Sequence, residues 1–141
     1  MLSIGRIGEE TTSEKWYIVR KLDDEIMSHN FVYVPELAPS PALFSVYKKL
    51  RDNNEWDAHA LAVQYLPVFL QEMTAAPAQE KLRYLTAESR KRNIVLCCYC
   101  ERVALCRRSI VGGILKGMGA EIRGCDAFLA YYRMYQELLG R

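Results

Sequence analysis

The sequence has no long apolar run. None of its segments approaches the roughly 20 uncharged, apolar residues that a membrane-spanning helix needs. The first ten residues end in a Glu-Glu pair and lack the basic region and apolar stretch of a secretory signal. We therefore expect a cytoplasmic protein that neither enters the membrane nor is secreted.

The chain also has little excess of one sign of charge over the other. Nineteen lysines and arginines against seventeen acidic residues leave a formal net charge of +2. That charge is too small to attract nucleic acid or an anionic membrane by itself. Any binding of a polyanion must then come from local clusters, and the segment 81–92, which carries five lysines and arginines, is one candidate.

Histidine is rare, and its scarcity limits metal chemistry. The two histidines, His29 and His59, are remote from the cysteines in the sequence. A zinc site needs about four ligands, usually including a Cys-x2-4-Cys pair. Cys98-x-Cys100 is too tight for that pair, although Cys100 and Cys106 are spaced to contribute. The sequence predicts no metal site and no other cofactor.

The five cysteines do not form an obvious disulfide framework. Their number is odd, and three of them lie within residues 97–100, too close together to pair well. This pattern favours a reducing compartment. It agrees with the cytoplasmic location predicted above.

Strand and helix patterns alternate along the chain. Short β-branched and aromatic runs at 2–7, 15–20 and 31–34 predict strands, and the fully apolar run at 94–99 predicts a central one. Helical spacing predicts helices at 41–51, 56–73 with a kink at Pro67, 79–92, 109–118 and 126–139. Gly117 and Gly119 should end the fourth helix, and 120–123 predicts one more short strand. The sequence predicts a single α/β domain over residues 1–141, with a small, mainly parallel sheet and helices on both faces.

The junction between the central strand and the next helix carries the richest chemistry. Residues 94–109 contain four of the five cysteines and the adjacent pair Arg107 and Arg108. Free N–H groups and the helix dipole favour an anion at the start of a helix. Open α/β sheets also bind ligands at the carboxyl ends of their strands. The pattern indicates an anion site at this junction.

Cys100 and Cys106 are candidate catalytic nucleophiles. A helix start and neighbouring arginines lower the pKa of a thiol. A phosphatase-like loop would need Cys-x5-Arg, however, and the spacing from Cys100 to Arg107 is Cys-x6-Arg. The opposite interpretation is a set of small buried core residues, which is favoured for Cys97 and Cys125. The spacing leaves both an enzyme and a binding protein open.

Two motifs resemble those of a known family. Cys98-Tyr99-Cys100 and Cys106-Arg107-Arg108 are similar to the Cys-Tyr-Cys and Cys-His-Arg motifs of the YeaO-like proteins of the domain of unknown function 488 family. The resemblance extends to residues 4–8, 33–40 and Trp56, and it implies family membership without implying a reaction. Arg107 replaces the family's usual histidine. This change disfavours a histidine-dependent proton transfer or metal role and favours anion binding.

We therefore expect one pocket at the strand ends. Its anion-binding residues should be Arg6, Arg107, Arg108 and Ser109, with Cys100 and Cys106 nearby. The expected partner is a phosphate-bearing small molecule, a nucleotide or a nucleic-acid backbone, because arginines hold oxyanions through paired hydrogen bonds.

The last predicted helix offers a different function. It carries Tyr131, Tyr132, Met134 and Tyr135. Aromatic residues and methionine are enriched in interface cores, so the alternative is a protein-interaction module without catalytic activity, with a homodimer as one form. At helical spacing the same residues also suit a face that packs on the core. Their exposure distinguishes the two interpretations.

Overall fold

A four-stranded parallel sheet forms the centre of the molecule. The computed structural model describes residues 1–22, 30–100 and 102–140, so His29 lies outside the described residues. The strands are β1 (Leu2–Arg6), β2 (Glu14–Tyr17), β3 (Val32–Tyr33) and β4 (Ile94–Cys98), in the order β1-β4-β2-β3. Every pairing is parallel. All five residues of β4 are buried, as a central strand requires.

Helices make up most of the remaining described chain. They are α1 (Pro41–Asp52), α2 (Ala58–Ala60), a π-helical segment (Leu61–Tyr65), α3 (Leu66–Glu72), α4 (Ala76–Glu88), α5 (Arg107–Gly117) and α6 (Leu129–Leu139). Short 3-10 turns occupy Pro35–Leu37, Val103–Leu105 and Asp126–Phe128. The predicted α/β class with a small parallel sheet is confirmed. None of the described helices has the length and apolar character to cross a bilayer.

The start of α1 follows directly from its sequence. The Ser40 hydroxyl accepts a hydrogen bond from the Leu43 N–H at 3.2 Å, and Pro41 occupies the first turn, where no N–H is needed. The carboxylate of Glu72 accepts hydrogen bonds from the Ser40 N–H, at 2.8 Å, and from its hydroxyl. The cap therefore also ties α1 to the end of α3.

The chain around Pro67 departs from a simple kinked helix. The residues before it, Leu61–Tyr65, form a π-helical segment, and α3 then restarts at Leu66. Pro67 consequently lies in the first turn of a new α-helical segment, where its missing N–H costs nothing. The wider π turn absorbs the disruption that the sequence predicts as a kink.

The strand predicted at 120–123 is reduced to a single bridge. Ile122 pairs in parallel with Leu2, and the Leu2 N–H donates to Glu121 O at 2.8 Å. Gly119 and Gly124 have positive φ values of 93° and 76°, so the chain turns sharply on both sides of the bridge. Gly119 supplies the predicted left-handed turn after α5, whereas Gly117 is still helical.

Side-chain and helix contacts connect α4 and α5 to the sheet and α6 to α5 and the end of α3. The ring of Trp16 on β2 stacks on Tyr84 of α4 with the centroids 5.7 Å apart. Helix α5 contacts both β1 and β4 and packs along α6. The buried Tyr135 hydroxyl of α6 donates to the Met73 carbonyl at 2.6 Å. The contacts of α5 with β1 and β4 place this helix beside the central strands.

Candidate functional site

Three cysteine sulfurs meet where β4 runs into α5. Cys98 is the last residue of β4, Cys100 lies in the following loop, and Cys106 is the residue that precedes α5. Their Sγ atoms all lie within 4.8 Å of one another, and those of Cys98 and Cys106 are 2.8 Å apart. We call these three residues the cysteine cluster. Cys97 and Cys125 are buried elsewhere in the core.

Cys106 is the thiol of the cysteine cluster that loses its proton most readily. Burial raises the pKa of the Cys106 thiol, but hydrogen bonds with Cys100 and Cys98 and the positive charge of Arg107 together hold it well below its usual value. Burial raises the pKa of Cys98, and the hydrogen bond with Cys106 raises that of Cys100. The first negative charge in the cluster therefore belongs on Cys106.

Arg107 is a buried cation beside the cysteine cluster. Its side chain is 6% exposed, and its Nη1 donates to the Ile18 carbonyl at 3.5 Å. Burial lowers the pKa of Arg107, but the ionisable groups of Tyr65 and Cys106 raise it above its usual value. Its Nε is buried and has no hydrogen-bond partner in the part of the chain that the structure describes. The guanidinium therefore carries a full charge and an unused donor.

Arg108 has a different environment. Its Nη1 donates to the Gly5 carbonyl at 2.6 Å, its Nη2 to the Cys100 carbonyl, and its Nε contacts Cys106 Sγ at 3.5 Å. It lines a cavity of about 450 Å³ together with Arg6, whereas Arg107 lines a separate one. The predicted single pocket is thus divided between two cavities. Ser109 is fully buried, and its hydroxyl donates to the Cys106 carbonyl at 2.8 Å.

The cavity that Arg107 lines is the larger of the two, at about 550 Å³. We call it the cationic cavity. Its lining residues are Val19, Arg20, Lys21, Phe44, Tyr47, Lys48, Arg51, Trp56, Tyr99, Cys100, Arg102, Leu105 and Arg107. Six of them are lysine or arginine, and none of these described lining residues is acidic. The volume lies within the range of small-molecule sites.

Aromatic rings form one wall of the cationic cavity. Tyr47 and Trp56 meet edge to face with centroids 4.8 Å apart, and the Trp56 indole N–H donates to the Leu105 carbonyl at 3.1 Å. The Arg51 guanidinium lies 5.5 Å from the centre of the Tyr47 ring. Burial and the neighbouring Cys100 raise the pKa of Tyr47 to about 12, so its hydroxyl is neutral near pH 7. The wall therefore presents flat, largely apolar surface to the cavity.

Sequence reasoning missed the contribution of α1 to this cavity. Four residues of α1 line it at positions i, i+3, i+4 and i+7, which share one face of a helix: Phe44, Tyr47, Lys48 and Arg51. A stripe of two aromatic residues and two cations on one helix face was the available signal. What was missing was a reason to place α1 beside the cysteine-arginine junction.

The basic segment at 81–92 is partly neutralised. Arg92 pairs with Glu14 at 3.2 Å and with Glu88 at 3.4 Å, and Lys81 lies 3.8 Å from Glu36. In the lining of the cationic cavity, Arg51 pairs with Asp52 at 3.3 Å, whereas Lys21, Lys48 and Arg102 form no ion pair with any described carboxylate.

The aromatic residues of α6 are largely turned toward the protein. Tyr135 is buried, Tyr131 stacks on Phe128 with the centroids 6.2 Å apart, and Tyr132 packs closely over Gly117. Met134, at 44% exposed, is the most exposed of the four candidate interface residues. Three of the four therefore have packing partners within the chain.

The comparisons with known proteins point to one family. A family model described as the active DUF488-N3 subclade matches residues 6–119. The matched range includes the whole cysteine cluster and every residue that lines the cationic cavity. No curated protein and no solved structure matches the chain.

Proposed function

This chain belongs to the DUF488 family, and we propose that the cationic cavity is its binding site for a phosphate-bearing ligand that carries an aromatic ring. A nucleotide and a stretch of single-stranded nucleic acid share that chemistry. The observation that carries the proposal is the lining of the cavity: six cations and an aromatic wall, without a carboxylate among the described lining residues.

The charges of the cavity favour phosphate. Lys48, Arg51 and Arg102 are exposed at its edge, where they can reach a ligand's oxyanions, while Arg107 supplies a fixed charge at its base. Charge-assisted hydrogen bonds to phosphate are stronger than neutral ones. Arg107 also retains one buried donor, its Nε, that has no partner among the described residues, and such unsatisfied donors are costly inside a protein.

The aromatic wall favours a flat ring next to the phosphate. Phe44, Tyr47 and Trp56 line the same cavity as the cations. Stacking of a base on an aromatic side chain contributes about 1–3 kcal/mol and depends little on which base is stacked. We therefore expect binding to tolerate different bases and to be weak for inorganic phosphate alone.

Tryptophan fluorescence tests the proposal directly. Trp56 lines the cavity, whereas Trp16 is buried against Tyr84, so a Trp16→Phe variant leaves Trp56 as the reporter. Titration with adenosine monophosphate or a short oligothymidylate should quench the emission, and inorganic phosphate should do so far less. Thermal stabilisation of the unmodified chain by the same compounds is the parallel measurement.

Surface cations provide the matched variants. Lys48→Ala, Arg51→Ala and Arg102→Ala combined should lower affinity at least about 10-fold, a loss of roughly 1.4 kcal/mol. Arg133→Ala removes an exposed charge from α6, outside the cavity, and should leave affinity unchanged. The proposal is wrong if neither compound produces quenching or stabilisation, or if the two variants weaken binding equally.

A further inference from the structure

The cysteine cluster has the composition of a metal site. Its three thiols come from a strand end, a loop and the residue before a helix, yet their Sγ atoms lie within 4.8 Å of one another. Thiolates are soft ligands, which select zinc and copper(I) over magnesium and calcium. The short Cys98-x-Cys100 spacing does not prevent this convergence, because the fold brings Cys106 to the same point.

We propose that Cys98, Cys100 and Cys106 bind one zinc ion through three thiolates, with a fourth coordination position open toward the cationic cavity. Three protein ligands and one exchangeable position are typical of zinc sites that act on a ligand, in contrast to closed structural sites with four protein ligands. The metal site can be tested separately from the proposed ligand binding, since metal uptake requires neither phosphate nor an aromatic ring.

The distances require a small adjustment. Zinc–sulfur bonds of about 2.3 Å place two sulfurs of a tetrahedral site roughly 3.8 Å apart. The Cys98 and Cys106 sulfurs, now 2.8 Å apart, must separate by about 1 Å around the ion. Each of these sulfurs is the terminal atom of its side chain, so rotation about the two Cα–Cβ bonds can supply the separation.

The charges around the cluster suit a thiolate-bound ion. Three thiolates and one Zn²⁺ carry a net charge of −1, which is expensive to bury without compensation. The buried Arg107 lies beside the cluster, and Nε of Arg108 is 3.5 Å from Cys106 Sγ. Donors of this kind orient sulfur ligands and stabilise their charge.

The open position follows from the different burial of the ligands. Cys98 and Cys106 are buried, whereas Cys100 is partly exposed and lines the cationic cavity. The cluster therefore reaches solvent on the side of Cys100. Within the described residues no histidine or carboxylate joins the three thiols, and the proposal therefore gives the fourth position to a water molecule or an anion from the cavity.

Cobalt binding provides the test. The purified full chain, reduced and freed of metal, is titrated with Co²⁺ in the absence of nucleotides. We expect one equivalent to produce the near-ultraviolet absorption of cobalt–thiolate bonds and Zn²⁺ to displace it. Cys98→Ser, Cys100→Ser and Cys106→Ser should each weaken metal binding by more than about 10-fold. Loss of a residue that only supports a metal ligand already weakens binding by about 10-fold or more, and loss of the ligand itself should cost more. Cys125→Ala, a buried cysteine outside the cluster, is the matched control.

A second measurement needs no variant. Alkylation of the wild-type chain with and without Zn²⁺, mapped by mass spectrometry, should show protection of Cys100, the partly exposed member of the cluster, and no change at Cys97 or Cys125. Absence of a stoichiometric cobalt–thiolate signal, protection at other cysteines, or a stable Cys98–Cys106 disulfide in the reduced preparation would each overturn the proposal. Nucleotide titrations in the presence of a metal chelator report on the cationic cavity alone. Failure of the zinc proposal can therefore be distinguished from failure of the ligand-binding proposal.

Discussion

Arg107 and Arg108 are neighbours in the sequence but line different cavities. Arg107 lines the cationic cavity, and its Nε has no partner among the described residues. All three side-chain nitrogens of Arg108 have partners within the chain. Arg108 joins the end of β1, the loop after β4 and the cysteine cluster. These contacts indicate a structural role for Arg108, and we expect the proposed ligand binding to depend more on Arg107.

Arg108→Ala should destabilise the protein strongly. The substitution leaves the Gly5 carbonyl and the Cys100 carbonyl without their donor, and each unsatisfied buried group costs about 1–3 kcal/mol. We expect a loss of roughly 2–4 kcal/mol in urea unfolding. Arg108→Lys should recover only part of it, because an ammonium group cannot reproduce the guanidinium fork. Arg102→Ala, an exposed arginine, serves as the control, and an equal effect of both alanine variants would refute the assignment.

Tyr135→Phe tests the link between α6 and the end of α3. Removing the hydroxyl leaves the Met73 carbonyl unsatisfied and should cost about 1–2 kcal/mol near pH 7. Burial raises the pKa of Tyr135 in the folded chain to about 12, above its unfolded value of 10.0. The stabilisation is therefore complete below pH 10 and is lost as the pH rises toward 12. Unfolding curves of both proteins from neutral to alkaline pH should converge; a constant difference would contradict this account.

At the scale of elements, the order of strands and helices could be predicted, but their junctions could not. Alternation and apolar runs are local signals, so β4 and α1 lie where the sequence places them. The π-helical segment at Leu61–Tyr65 was missed, because a proline predicts a disruption without specifying its form. The strand predicted at 120–123 is only a single bridge at Ile122, because its pairing is limited by the turns at both ends.

Gly117 shows how closely α5 and α6 approach each other. A Cβ atom at this position would lie 2.0 Å from Cγ of Tyr132, a distance that no packing rearrangement of the ring alone relieves. Gly117→Ala should lower stability by roughly 1–3 kcal/mol, the usual cost of overpacking. Gly140→Ala is the matched control, because its nearest neighbour would be 3.5 Å away. Equal urea midpoints for the two variants would disprove the close approach.

At the scale of the whole molecule, net charge conceals a local concentration. The chain carries a formal charge of +2, yet six cations surround a single cavity. Acidic residues elsewhere, including Glu14 and Glu88 beside Arg92, supply the balance. A ligand near the cavity therefore experiences a far more positive potential than the composition indicates.

This concentration predicts a salt-dependent affinity for single-stranded nucleic acid. The measured quantity is the slope of the logarithm of the association constant for a short oligothymidylate against the logarithm of salt concentration. If three phosphates are contacted, this slope should be about −2. Removing Lys48 and Arg51 together should reduce the slope by about 1.4. Fluorescence titrations between about 50 and 200 mM salt measure both values. A slope near zero would mean that the cations do not contact phosphate.

The sequence by itself determined the α/β class, the main strands and helices, and the motifs of the DUF488 family, because all of these depend on residues close together in the chain. It also singled out the cysteine-arginine junction. Only the tertiary structure decided that α1 completes the cationic cavity, that Arg107 and Arg108 line different cavities, and that three cysteine sulfurs lie close together. The physical reason is that these arrangements depend on how distant elements pack, which no local spacing encodes.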